Sequence, residues 1–327
     1  MHRVDIANTD IGFDVDDGER ILAAALRAGV WVPFECGWGS CGTCKMTLVE
    51  GKVDTLFADA PSISARDARR ARILACQSTP KSDLVVKPTW VDTAARDGLA
   101  TQRCAAVLTG RDEIGPDIFR LTLTLDRVVP FYEGQHAIVE LGDGLRRCYS
   151  MSNRPGTRDI EFIMKRYRGR VGSEAVSALA TGDHVCIEMP YGDMWIRDGS
   201  VPVCLVAGGT GVAPILGMLR RLAADGDSRP VRVVYGANVH DELVCWEDLA
   251  ALVGRLVDAE LFGALITGNR GWTGVEGLVT HALEPMLASL TGADFYVAGP
   301  PVMTNAVTGM LRDAGVALDR IRYDSFG

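Results

Sequence analysis

Cys36-Gly37-Trp38-Gly39-Ser40-Cys41-Gly42-Thr43-Cys44 is the stretch around which the rest of the chain is read, and Cys76 completes it from a separate segment, Leu74-Ala75-Cys76-Gln77. The spacing, C-x4-C-x2-C with a distant fourth cysteine, is that of a [2Fe–2S] site held by four thiolates. The chemistry explains the pattern. Three thiolates converge from one tight loop on two irons a few ångströms apart, and the fourth closes the cage from elsewhere. Gly37, Gly39 and Gly42 let the backbone wrap closely and aim its N–H groups at the sulfurs, stabilising negative charge. A structural zinc site is the alternative reading of four cysteines, although zinc knuckles bring two similar C-x2-C pairs and Cys76 stands alone. Trp38 has two readings as well: a ring packed over the metal, or a contact for a partner.

Around this loop the grammar is that of a small mixed sheet. Val4 and Ile6 alternate, Ile21-Leu22-Ala23-Ala24-Ala25-Leu26 is a short helix that Gly29 closes, and Lys45 to Val49 alternates again. Ser64 followed by Asp67 marks a capped turn or two of helix. Nine cysteines are many for the cytosol, where structural disulfides are rare, so metal or redox use is expected of them. Cys104, Cys148, Cys186, Cys204 and Cys245 are not at ligand spacing with one another and read as small hydrophobes or variable positions. The arginines Arg66, Arg69, Arg70 and Arg72 read as a solvated helix face.

The chain has 327 residues, enough for two or three domains, with 47% hydrophobic and 23% charged residues. Lys plus Arg number 34 against 42 Asp plus Glu, a formal charge of −8, which argues against nucleic-acid binding by counterion release. No apolar run is long enough to span a bilayer, and the start lacks a secretory signal. The expectation is a soluble cytoplasmic protein, monomeric, with no membrane or nucleic-acid partner.

Beyond residue 90 two further grammars follow. Residues 91–102 are polar and aperiodic, a linker. From 103 to 198 short strands dominate: Phe119, Leu121, Leu123 and Leu125 alternate with Arg120, Thr122 and Thr124. Ala137–Leu141, Ile160–Met164 and His184–Met189 repeat the pattern between Gly and Pro turns, as in a closed antiparallel barrel. From 199 to 327 strands alternate with helices. Strands are expected at Val203–Ala207, Val231–Tyr235, Leu261–Thr267, Phe295–Ala298 and Ile321–Tyr323. Helices are expected at Ala213–Ala224, Leu243–Val253, Leu278–Ser289 and Val302–Ala314. That is a parallel sheet covered on both faces.

Three motifs now carry a resemblance. Residues 1–90 resemble a plant-type ferredoxin domain of β-grasp fold. The remainder is similar to the ferredoxin–NADP+ reductase family, in the order ferredoxin, flavin domain, nicotinamide domain found in reductases that serve bacterial aromatic-ring oxygenases and diiron monooxygenases. The resemblance implies a multidomain α+β and α/β chain: a β-grasp ferredoxin domain (1–90), the linker (91–102), an antiparallel β-barrel flavin domain (103–198) and a parallel-sheet nicotinamide-binding domain (199–327). It also implies Cys36, Cys41, Cys44 and Cys76 as cluster ligands.

Arg147-Cys148-Tyr149-Ser150 matches the family's R-x-Y-[ST]. By resemblance Arg147 binds the FAD pyrophosphate, Tyr149 stacks on the ring and Ser150 hydrogen-bonds near N5. An alternating strand puts Arg147 and Tyr149 on one side and Cys148 and Ser150 on the other. A second phosphate element, Gly169-Arg170-Val171-Gly172-Ser173, sits just before a helix. It departs from the family's G-G-[RK]-x-[ST], with Arg168 for the first glycine and Gly172 where the hydroxyl belongs, so Ser173 would act one position late. Lys165 joins the flavin set.

Val206-Ala207-Gly208-Gly209-Thr210-Gly211-Val212-Ala213-Pro214 follows a strand and opens a helix, matching the family's GGTGxAP. Tyr296-Val297-Ala298-Gly299-Pro300-Pro301-Val302-Met303 matches Y-[VL]-C-G-P-P-x-M, with Ala298 for the cysteine. The resemblance thus assigns Gly209, Thr210, Gly211, Pro214, Gly236, Asn238, Gly299, Pro300, Pro301 and Met303 to the nicotinamide coenzyme. Ser150, Thr210 and Phe326 are placed at the reacting centre, Phe326 against the flavin where nicotinamide must land. Gly236-Ala237-Asn238-Val239-His240-Asp241-Glu242 has no Arg or Lys for a 2′-phosphate and two carboxylates to repel one, which favours NADH.

The function expected is electron transfer from NADH through FAD to the [2Fe–2S] cluster and on to a terminal oxygenase, directly or through a small ferredoxin. A Rieske-type aromatic-ring dioxygenase is the first acceptor considered, because residues 59–67 and the closing Tyr323-Asp324-Ser325-Phe326 resemble carbazole-type reductases. A diiron monooxygenase is the alternative, from Gly29 to Phe34 and Ser82 to Val85, which are similar to phenol-hydroxylase-type reductases. A non-catalytic redox sensor is the reading from another class.

Overall fold

Backbone pairing in the computed structural model follows the alternation read from the sequence. The structure describes residues 1–39, 41–58, 60–93, 99–141, 145–268 and 271–326; the middle of the expected linker, residues 94–98, and Asp59 lie outside them. Two units emerge: Met1–Arg103 with Ile138–Cys148 and Cys186–Gly192, and Cys104–Ala137 with Tyr149–Val185 and Asp193–Gly327.

In the first unit His2–Ile6 pairs antiparallel with Gly12–Val15 and parallel with Leu84–Lys87. Lys45–Glu50 then pairs antiparallel with Leu84–Lys87 and with Arg72–Leu74, completing a five-stranded mixed sheet. The helix Ile21–Arg27 delivers Ile21, Leu22, Ala24, Ala25 and Leu26 to the same core as Val4, Ile6, Met46 and Val86. A sheet gripping one helix is the expected β-grasp arrangement. Ser64 caps Ala65–Arg69: its hydroxyl accepts the Asp67 N–H, and the Asp67 carboxylate accepts the Ser64 N–H. The segment read as a linker is fastened at both ends. Asp92 exchanges backbone bonds of 2.9 and 2.8 Å with Trp31, and Gln102 already opens a strand.

A six-stranded sheet has the order Arg146–Ser150, His136–Glu140, His184–Tyr191, Gln102–Gly115, Ile118–Leu125, Asp159–Lys165. A bridge between Met151 and Phe162 joins its two ends and makes it barrel-like. Phe119, Leu121, Leu123 and Leu125 are buried, whereas Arg120, Thr122 and Thr124 are half-buried, as the period of two demands.

In the second unit six parallel strands run in the order Val275–Glu276, Ala259–Leu265, Val231–Ala237, Val203–Gly208, Asp294–Gly299, Ile321–Ser325. The strands Val203–Gly208 and Asp294–Gly299 are buried along their whole length. Val203, Leu205 and Ala207 face one core with the helix Val212–Asp225, while Cys204 and Val206 face another with Val307 and Leu311. Three expected elements are corrected. The helix read from Leu243 begins at Trp246, because Cys245 takes a left-handed φ of 60°. The helix read over Leu278–Ser289 is broken into Val279–Leu283, a 3-10 turn Glu284–Met286 and Leu287–Leu290 by Pro285, which supplies no N–H. The strand read as Leu261–Thr267 runs Ala259–Leu265. Among the described residues no helix is long and apolar enough to cross a membrane.

Candidate active site

The cysteine loop connects the helix Ile21–Arg27 to the strand Lys45–Glu50. Gly37, Gly39 and Gly42 take φ of 68°, 107° and 76°, the left-handed region that turns successive N–H groups inward. The Cys41 N–H lies 3.5 Å from Cys36 Sγ, and the Thr43 N–H lies 3.4 Å from Cys41 Sγ. Cys76 sits in a 3-10 turn, Ala75–Gln77, pinned by a 3.1 Å bond from the Ala75 N–H to the Cys44 carbonyl. That bond sets Cys76 Sγ 3.3 Å from Cys44 Sγ.

The electrostatics fit a metal core. Cys76 is pushed well up by the hydrogen bond with Cys44, by burial, and by the charge of Cys44, Cys36 and Cys41, so all four sulfurs act on one another. Cys41 is likewise pushed up by Cys36, and Cys44 is held down by the Cys76 thiol. Such thiols share protons poorly and cations well; a coordinated thiol deprotonates outright. The sulfurs approach one another in two pairs, Cys36 with Cys41 and Cys44 with Cys76, and a bound [2Fe–2S] cluster would be held by these four thiolates. Cys36, Cys44 and Cys76 are buried and Cys41 is exposed. Trp38 stacks on Phe57 at 6.4 Å and 11°.

The strand Arg146–Ser150 carries the flavin motif, with Arg147, Cys148 and Tyr149 half-buried. The Tyr149 ring lies 5.8 Å from Phe162, and the Ser150 hydroxyl donates to Asp324 Oδ2 at 3.1 Å. The Arg147 guanidinium donates to the Arg146 carbonyl at 2.6 Å, and Ser150 is buried. Residues 169–173 were expected just before a helix. The helix in fact starts at Val171, so Val171, Gly172 and Ser173 form its first turn, while Gly169 and Arg170 precede it. The Ser173 hydroxyl is engaged within this loop, accepting the Tyr167 N–H at 2.9 Å, and the Gly169 N–H reaches Glu174 Oε1 at 3.0 Å.

A cleft of about 210 Å³ opens at the carboxyl ends of the parallel strands. Gly209, Thr210, Gly236, Asn238, Pro300 and Met303 line it, and so do Lys165 and Phe326 from the flavin set. Phe326 is tied down by its N–H, 2.9 Å from the Gly299 carbonyl. Gly211, Pro214, Gly299 and Pro301 do not line the cleft. Gly211 shapes it from behind: a Cβ there would stand 2.1 Å from the Ala298 carbonyl oxygen, so the turn can rest on the neighbouring strand only as glycine. Pro214 is buried in the first turn of its helix.

Two residues were underweighted by sequence reasoning. Glu242 pairs with Lys165 at 2.5 Å and accepts the Asn238 side-chain N–H at 2.8 Å. Burial alone would push its carboxyl up; Lys165 and Asn238 outweigh that and hold it below the usual range. Asp324, which engages Ser150, lies in register with Ala298 across the sheet. Only that parallel register, which the sequence does not display, puts a carboxylate beside the position where the motif usually has cysteine.

Comparison with known proteins bears on these three sites together. Residues 4–81 match the 2Fe-2S iron-sulfur cluster binding domain, 105–195 the oxidoreductase FAD-binding domain and 205–309 the oxidoreductase NAD-binding domain. The ferredoxin–NAD(+) reductase component of the alkene monooxygenase system of Xanthobacter autotrophicus is 36% identical, over 98% of this chain and 99% of its own length. The chain belongs to the family of oxygenase reductase components. The reductase component of phenol 2-monooxygenase from a Pseudomonas species is 32% identical over 93% of the chain and 88% of its own. Among solved structures, the ferredoxin reductase of carbazole 1,9a-dioxygenase aligns with a TM-score of 0.87 at 27% identity, over 100% of this chain and 98% of that one. As a member of this family the chain is an oxidoreductase with a [2Fe–2S] cluster domain, an FAD-binding domain and a nicotinamide-coenzyme-binding domain.

Proposed function

We propose that the chain takes hydride from NADH at the cleft and delivers single electrons to an oxygenase component by way of its cysteine loop. When bound, FAD accepts an electron pair as hydride and the cluster exchanges electrons one at a time, near −400 mV for plant-type clusters. One observation carries the reading: Lys165 and Phe326, expected on the flavin side, line the same cleft as Gly209 and Thr210 of the coenzyme turn. Phe326 occupies the place where the nicotinamide ring must come to lie, and yields it on coenzyme entry. Ser150, held by Asp324, offers its hydroxyl oxygen toward flavin N5, while Arg147 takes the pyrophosphate. Glu242, fixed between Lys165 and Asn238, meets the adenosine ribose as a carboxylate, which suits free hydroxyls and repels a 2′-phosphate. The exposed Cys41 edge faces the acceptor.

For the acceptor, the 36% and 32% identities to monooxygenase components favour a monooxygenase. A dioxygenase is the second reading, favoured by the full-length likeness to the carbazole dioxygenase reductase. The test is anaerobic mixing of the reconstituted protein with NADH, followed by each oxygenase component. Bleaching of flavin and cluster, then substrate-dependent NADH consumption with one component, is the expected result. Pigment that NADH leaves unbleached overturns the reading and would favour a redox sensor.

A further inference from the structure

Cys148 stands between Arg147 and Tyr149, and the strand's alternation turns its side chain to the opposite face. Its thiol donates to the carbonyl of Cys36 at 2.9 Å. Cys36 is itself a cluster ligand, so one hydrogen bond joins the flavin strand to the peptide of a thiolate that holds iron. Neighbouring contacts fix the pair. The Arg147 guanidinium lies 5.4 Å over the Trp38 ring. Gly37 approaches Ile138 so closely that a Cβ would come within 3.1 Å of its Cδ1. Behind them, Arg20 reaches Glu188 at 3.1 Å and Glu140 at 3.3 Å, and Arg146 meets Glu188 at 2.5 Å, in a buried ionic cluster.

We propose that Cys148 is a positioning residue for electron transfer, its thiol–carbonyl bond setting the cluster loop against the flavin strand and supplying the contact by which electrons pass to Cys36. The inference rests on the flavin reading of residues 146–150. With both groups bound, electrons would pass singly from reduced flavin to the cluster, the first handed on to the acceptor before the second is taken, and over the two transfers the flavin would give up its N5 proton to solvent. A cysteine that merely filled space would serve as a small hydrophobe. The two roles part company on substitution: alanine removes the donor, whereas serine keeps a donor and is the poorer hydrophobe.

The experiment follows flavin and cluster bleaching in one anaerobic stopped-flow trace of the holoenzyme with NADH. Cys148→Ala is expected to slow the cluster phase about fivefold relative to the flavin phase, the population shift of one lost hydrogen bond. Cys148→Ser is expected to restore most of it. The electron paramagnetic resonance signal of the reduced cluster shifts in the alanine variant and returns in serine. A cluster phase that keeps pace in Cys148→Ala, or serine as slow as alanine, overturns the proposal. Should Cys148→Ala fail to load its cluster, the S–H stretch lost on going from the unsubstituted chain to Cys148→Ser decides: a hydrogen-bonded frequency supports it and a free-thiol frequency overturns it. A cluster that NADH fails to reduce in the unsubstituted enzyme sinks the underlying electron order instead, and is recognised because no substitution is involved.

Discussion

Cys41 is the exposed member of a buried thiol set, so its replacement tests the electron order with little damage to the core. Cys41→Ser removes the cluster's visible absorption and cytochrome c reduction, yet leaves ferricyanide reduction by the flavin in place; equal loss of both activities would contradict the sequence of carriers. Coenzyme choice is a residue-scale matter too. Asn238 donates to Glu242, and an arginine there meets that carboxylate while offering a donor to a 2′-phosphate. Asn238→Arg therefore raises the NADPH to NADH ratio of kcat/KM by about tenfold, the worth of one charge-assisted hydrogen bond. An unchanged ratio places the adenosine pocket elsewhere.

Elements succeed or fail here through their ends. The coenzyme turn works because Gly211 lies flat on Ala298. Gly211→Ala forces the turn outward, costing about 1–3 kcal/mol of stability and raising the KM for NADH; a lower thermal midpoint with an unaltered KM would separate stability from binding and refute the coupling. The helix Ala65–Arg69 depends on its reciprocal cap, and Ser64→Ala is expected to cost about 1 kcal/mol, read as an earlier urea midpoint for the first unit. The cap and the helix Ile21–Arg27 were legible because they rest on local rules. The late start of Trp246–Val253 was not, because a left-handed φ at Cys245 is not a conformation its residue type signals.

At the scale of the whole chain, ion pairs set the response to acid. Burial would raise the Glu140 carboxyl, but Arg103, Arg146 and Arg20 outweigh it; Arg229 does the same for Asp227, and Lys165 with Asn238 for Glu242. Carboxyls held low in the fold and released on unfolding give the unfolded chain more protons as acid is added. Their contribution is complete above the ordinary carboxylate range and is lost as pH falls below about 4. The thermal midpoint should fall between pH 5 and pH 3, and a level or rising midpoint there would contradict this balance.

The three cofactors and the order of their binding segments were fixed by the sequence alone, since cysteine spacing, a glycine turn and an alternating R-x-Y-S strand are contiguous patterns that each satisfy one chemistry. The parallel register that sets Asp324 beside Ala298, the Lys165–Glu242 pair and the Cys148–Cys36 bond join residues 26, 77 and 112 positions apart. Such pairs leave no periodic trace along the chain, because what brings them together is the packing of separate strands. Tertiary structure decided them.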